Sequence, residues 1–192
     1  MHLSIVSTFA ISIVLCTLFQ EVDSKVCSFE NELIATSWNV KNGETKILEI
    51  RFEHKNFTEN RWTSLAFGNG PGMNNLEAII FSRGDDDTIT TYTAFTPKKK
   101  KVDVDDVAYV NVENSSVNGN HLKITVTRPL GSVGPRNHSL EKCVNWIVIP
   151  GGTLKSKGHF KKHHGGVEIV KNVCAAQCTS DIGKMVLTNR IH

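Results

Sequence analysis

From Ile47 to Glu53 the chain alternates: Leu48, Ile50 and Phe52 are apolar, while Glu49, Arg51 and Glu53 are charged. A repeat of two sends one set to each face of an extended strand, so this segment reads as a strand with one buried and one wet face. Leu122, Ile124 and Val126 alternate with Lys123, Thr125 and Thr127 in the same way. Shorter runs at 33–40, 62–67, 78–82, 88–93, 107–112, 143–149 and 167–173 hold Val, Ile, Thr and aromatic residues suited to a pleated surface. Turn signals separate them: Asn42-Gly43, the Gly/Pro segment 68–72, Arg83-Gly84-Asp85, Asn118-Gly119-Asn120 and Pro150-Gly151-Gly152. No segment sustains a helical period. The pattern predicts an all-β protein, an antiparallel β-sandwich of about nine to eleven strands, without internal repeats or a long linker.

The first residues do not belong to that pattern. Residues 3–19 are apolar and uncharged, and Gln20, Glu21 and Asp23 end the run. This reads as a secretory signal peptide over residues 1–24, cut near Ser24. The apolar run is short for a membrane span, which disfavours an uncleaved anchor. The expected organisation is a single domain over 25–180 and a tail over 181–192. Loss of Glu21 and Asp23 changes 22 basic against 19 acidic residues to 22 against 17, a net charge of +5. That balance permits contact with polyanions without requiring it. The run of lysines at 98–101, followed by Asp103, Asp105 and Asp106, reads first as a solvated loop and second as a polyanion contact.

Cys16 leaves with the leader, and Cys27, Cys143, Cys174 and Cys178 remain. An even count in a secreted chain predicts two disulfides, with three pairings open. The sequons at Asn56, Asn114 and Asn137 predict glycosylation and agree with secretion.

Two segments carry candidate chemistry. Met73 lies in a Gly/Asn/Pro loop between two apolar strands, where a thioether has no packing task that Leu would not perform. His159, His163 and His164 lie in the later segment GHFKKHHGG. One Met and one His facing each other across a pocket supply an axial pair for a haem iron. Plainer readings compete: a gap-filling methionine, a solvated basic loop, or a transition-metal site using His159 with His163 or His164. Trp62 and Trp146 read as core residues first. Arg128 reads as a structural ion-pair residue first and a haem-propionate partner second.

The order of the motifs resembles the DOMON domain, especially secreted single-domain DOMON proteins of nematodes. The pieces are Trp62-x-x-Leu65-Ala66-Phe67-Gly68, Met73-Asn74, the strand from Glu77 to Ser82, and Thr91-Tyr92-Thr93. They continue with Asn118-Gly119-Asn120, Thr127-Arg128-Pro129-Leu130, Ser139-Leu140 ahead of Cys143-x-x-Trp146, and His163. The resemblance spans roughly 27–178 and implies a β-sandwich that binds haem or a sugar-like ligand. For haem-binding members it implies a b-type haem held by Met73 and by His163, with His164 as the second choice, and a role in electron transfer. The doubled histidine in a lysine-rich run departs from the better-known haem members and leaves that choice open.

The alternatives are a haem-free module for carbohydrate or another extracellular ligand, with Trp62 or Phe67 as the aromatic face, and a matrix or protein-interaction module using basic loops. No Gly-x-Ser-x-Gly elbow, His-Glu-x-x-His or P-loop is present, so a catalytic role would have to come from an extracellular redox partner.

Overall fold

The computed structural model describes residues 26–70, 72–97 and 102–179. The leader, the lysine run at 98–101, the tail from residue 180 and Met185 lie outside the described residues. Twelve strands are described, one above the expected range. They are β1 (Ser28–Glu30), β2 (Ile34–Lys41), β3 (Ile47–His54), β4 (Arg61–Phe67), β5 (Leu76–Arg83), β6 (Ile89–Thr96), β7 (Asp103–Val104), β8 (Asn111–Asn118), β9 (His121–Pro129), β10 (Val144–Ser156), β11 (His159–His163) and β12 (Glu168–Val173). A single 3-10 turn, Ala175–Gln177, follows.

The strands form two antiparallel sheets, as the alternation predicts. One has the order β1-β2-β3-β9-β8. The other runs β11-β10-β4-β5-β6-β7, and β12 pairs with β10. The apolar sets of β3 and β9 are buried between the sheets, where Leu48, Ile50, Phe52, Leu122, Ile124 and Val126 meet Leu65, Phe67, Ile79 and Phe81. Trp38 and Trp146 cross this interior with ring centroids 4.1 Å apart, and Phe67 stands edge-on to Trp146 at 4.9 Å. Each such ring contributes roughly 1.5–3 kcal/mol through burial.

Two expectations are corrected. The segment 107–112 is not a strand: Val107 is exposed, Val110 is buried, and regular pairing begins only at Asn111. This stretch links β7, at the far edge of one sheet, to β8, at the edge of the other, so it crosses between layers and has no ladder partner. Pro150-Gly151-Gly152 is not a turn. It lies inside β10, where register passes from Ile149↔Ser64 to Gly152↔Trp62. Three steps along β10 match two along β4, a β-bulge.

The bulge makes room for an indole. A Cβ on Gly152 would lie 2.4 Å from Trp62 Nε1, and one on Gly151 would lie 2.8 Å from the Trp62 carbonyl. Trp62 Nε1 in turn donates to the Lys161 carbonyl at 3.0 Å, which fixes β11 over the sheet. The disulfides pair Cys27 with Cys178 and Cys143 with Cys174. The first closes a span of 151 residues and locks β1 to the end of the fold. By loop-closure entropy such a span is worth about 4–5 kcal/mol.

Candidate functional site

β4 and β5 break the alternation rule. β5 is buried at every position and β4 at all but Arg61, so the centre of the seven-stranded sheet is covered on both faces. Its inner face joins the main core. Its outer face presents Ser64 and Ala66 from β4, opposite Ile80 and Ala78 of β5, with Ile147 and Ile149 alongside from β10. Small side chains at 64, 66 and 78 leave the sheet surface low, and a cavity of about 770 Å³ lies above it. Met73, Val102, Val104, Phe160 and the β10–β11 hairpin complete its walls.

Met73 and His163, ninety residues apart in sequence, line this same cavity. Both are half-buried. His163 Nδ1 lies 3.3 Å from the Gly165 carbonyl. The carbonyl only accepts, so Nδ1 carries the proton and Nε2 keeps its lone pair for a ligand. His159 lines the cavity too. His164 does not: its Nε2 is 3.0 Å from Thr153 Oγ1, and it borders a smaller cavity of about 160 Å³ on another side of Trp62. The adjacent histidines therefore serve different surfaces. Among the described residues no three His, Cys, Asp or Glu side chains gather as a metal site, so the transition-metal reading of His159 with His163 or His164 gains no third ligand of those types.

The loop bearing Met73 is held by a buried polar chain that the sequence reading did not identify. Asn75 N–H donates to the Thr96 carbonyl at 2.6 Å, and Leu76 N–H donates to Thr96 Oγ1 at 3.0 Å. His138 Nε2 donates to the Asn75 carbonyl at 2.9 Å, while the His138 backbone N–H donates to Glu77 Oε2 at 2.7 Å. Glu77 Oε1 pairs with Arg128 Nη1, both side chains almost wholly buried. Arg128 also donates to the carbonyls of Pro129 (2.9 Å) and His138 (3.0 Å). Arg128 is thus the structural ion-pair residue, and its guanidinium is committed away from the cavity. Glu77 in an otherwise apolar stretch of β5, and Arg128 continuing the inward register of Leu122, Ile124 and Val126 on β9, were the available sequence signal.

The aromatic candidates separate by face. Trp62 lines the cavity, packs edge-on to Phe160 at 5.8 Å and is nearly buried. Phe67 and Trp146 belong to the core between the sheets, so Phe67 offers no face to a ligand. Phe160 and Tyr92, 5.3 Å apart, extend the aromatic wall instead. Of the three sequons, Asn56 and Asn114 are exposed, whereas Asn137 is 7 % exposed and its Nδ2 is buried.

The bulge beside the cavity is tied to the other sheet through His54. Its Nε2 donates to the Pro150 carbonyl at 2.8 Å, and its Nδ1 accepts from Asn56 N–H at 3.1 Å. One donor and one acceptor define the neutral ring. Burial, the largest cause, pushes the His54 pKa below its ordinary value, and the nearby Arg61 charge acts in the same direction.

The two disulfides fit an oxidising, extracellular setting. Among the described residues no helix is long and apolar enough to cross a membrane.

The cytochrome domain of Myriococcum thermophilum cellobiose dehydrogenase has a similar structure, with a TM-score of 0.57 at 13 % identity, over 82 % of this chain and 85 % of that one. At that identity the likeness bears on the fold alone. In sequence, a DOMON domain-containing protein of Caenorhabditis briggsae is 63 % identical over 169 residues, covering 88 % of this chain and 90 % of the relative. One of Caenorhabditis elegans is 56 % identical over 183 residues, covering 95 % and 98 %. The DOMON domain family model matches residues 30–152, a stretch that includes Met73 and stops before His163. With two such relatives matched over nearly their full lengths and a sandwich of the expected architecture, this chain belongs to the DOMON domain family.

Proposed function

We propose that the protein is a secreted DOMON domain that binds a b-type haem between Met73 and His163 and passes electrons to and from an extracellular partner. The observation that carries this reading is the convergence of those two side chains on one apolar cavity. The donor set fits the group. A thioether and an imidazole with a free Nε2 suit iron, and among the described residues no carboxylate lines the cavity to compete. The volume and the flat apolar floor of Ala66, Ala78 and Ile80 suit a planar macrocycle.

Met73 and His163 would hold the iron, and the cofactor would supply one-electron chemistry. The chain's own residues do the rest. The Gly165 carbonyl orients His163, and the Asn75–Thr96 and His138–Asn75 hydrogen bonds fix the loop that carries Met73. Trp62 and Phe160 exclude water from one side.

A carbohydrate ligand is a poorer match. Sugars need many hydrogen-bonding groups, whereas Thr96 Oγ1 is already engaged with Leu76 and the Trp62 N–H with Lys161, which leaves Ser64 Oγ over a floor of Ala66, Ala78 and Ile80 and places the lysines at the rim.

A visible spectrum of secreted protein made with haem supplied tests the reading. The expected result is a sharp Soret band with resolved reduced α and β bands. Met73→Leu should convert the low-spin, six-coordinate signature and lower the potential, whereas His164→Ala should leave both unchanged. A wild-type protein that neither contains nor takes up haem would overturn the proposal.

A further inference from the structure

With Arg128 sealed in its pair with Glu77, the lysines that line the cavity among the described residues are those of the β10–β11 hairpin. Lys155, Lys161 and Lys162 line the cavity and are exposed. From residue 151 to 167 the chain holds four lysines and three histidines and no carboxylate. Among the described residues none of these lysines is within ion-pair distance of an acidic group, whereas Lys41, Lys55 and Lys123 each have one. Among the described residues no Asp or Glu lines the cavity.

The cavity is therefore two-sided. Its floor is aliphatic, and one wall carries charge that nothing in the described fold neutralises. An apolar floor gains from burying an apolar body, while flexible lysines at a wet rim hold anionic groups without full desolvation. Such a site takes a flat apolar ligand with carboxylates along a single edge and sets which way round it enters.

We propose that Lys155, Lys161 and Lys162 form a carboxylate subsite that orients the ligand with its acidic edge toward the hairpin. This rests on the haem reading, in which the acidic edge is the pair of propionates. It adds three binding residues from outside the axial pair and assigns a direction of entry.

The test compares iron protoporphyrin with its dimethyl ester, which keeps the ring and the metal and removes the charges. Both are titrated by absorbance into the full secreted protein in one detergent, at low and high salt. Wild type should bind the free acid about tenfold more tightly, with the gap shrinking at high salt because exposed pairs are screened. Simultaneous Lys155→Ala, Lys161→Ala and Lys162→Ala changes should close the gap and leave diester binding unchanged. Lys123→Ala, on the other sheet, should leave the gap open and so exclude a general charge effect. Equal affinity of wild type for acid and diester would overturn the subsite while leaving the haem reading intact. So would a triple variant that weakens both ligands alike, since the lysines would then act through hairpin shape. Binding of neither compound would remove the haem reading and the subsite with it.

Discussion

The two outer faces of the sandwich are built from different strand patterns and reach opposite ends. On the five-stranded sheet, Glu49, Arg51 and Glu53 of β3 lie beside Lys123, Thr125 and Thr127 of β9. Charges there neutralise one another: Glu49 pairs with Lys41 and Arg51, and Glu53 with His121 and Lys123. That face needs no cover. On the seven-stranded sheet, the corresponding positions of β4 and β5 are apolar and small, and the face is roofed by the Met73 loop and the β10–β11 hairpin. A sheet with one wet face is finished when its partner packs on it. A sheet with two apolar faces needs a second cover, and small side chains beneath that cover leave a cavity.

The deepest way to break the contrast is to cut what lies between the faces. Glu77→Ala leaves Arg128 buried without its counter-ion and should cost about 3–5 kcal/mol, seen as a large drop in the denaturation midpoint. A drop below about 1 kcal/mol would show that water enters and solvates the guanidinium. Gly152→Val acts on one face only. Its side chain meets the Trp62 ring, so about 1–3 kcal/mol of overpacking should lift the hairpin. Amide exchange should then accelerate in β11 and stay slow in β2 and β3. Uniform acceleration would contradict an independent roof.

His54 links the faces and sharpens the comparison through pH. Its folded pKa is depressed, so the unfolded chain takes up the proton more readily. The stability it supplies is complete above about pH 6.5, the ordinary histidine value, and is lost as pH falls through the folded value. His54→Leu should cost about 1–3 kcal/mol at pH 7.5 by stranding two backbone groups. That gap should narrow below about pH 6.5, and a gap constant from pH 8 to 5 would exclude the neutral ring. The smallest effect belongs to the wet face. Arg51→Ala should change stability by less than about 0.5 kcal/mol and leave ligand binding untouched.

Much of the fold was legible. The period of two in β3 and β9 reports which side of a strand is buried, and that is a local property of consecutive residues. The count of four cysteines from residue 25 onward was likewise enough to expect two bridges. Failures came where a local signal had a distant cause. Pro150-Gly151-Gly152 has turn chemistry, but it is a bulge because Trp62, almost ninety residues earlier, needs the space. Thr88–Thr93 was too short a reading of β6, since Thr96 is held in place by Leu76 of the neighbouring strand.

By itself the sequence determined the strand faces, the all-β class, the cysteine count and the residue types able to hold iron. Only the tertiary structure decided which cysteines pair, that Glu77 takes Arg128 away from the cavity, and that His163 meets the cavity of Met73 while His164 turns to Thr153. The physical reason is one of range. Side-chain direction repeats along a strand and can be read from neighbours, whereas cavities and ion pairs form between strands whose order in the sheet is not their order in the chain.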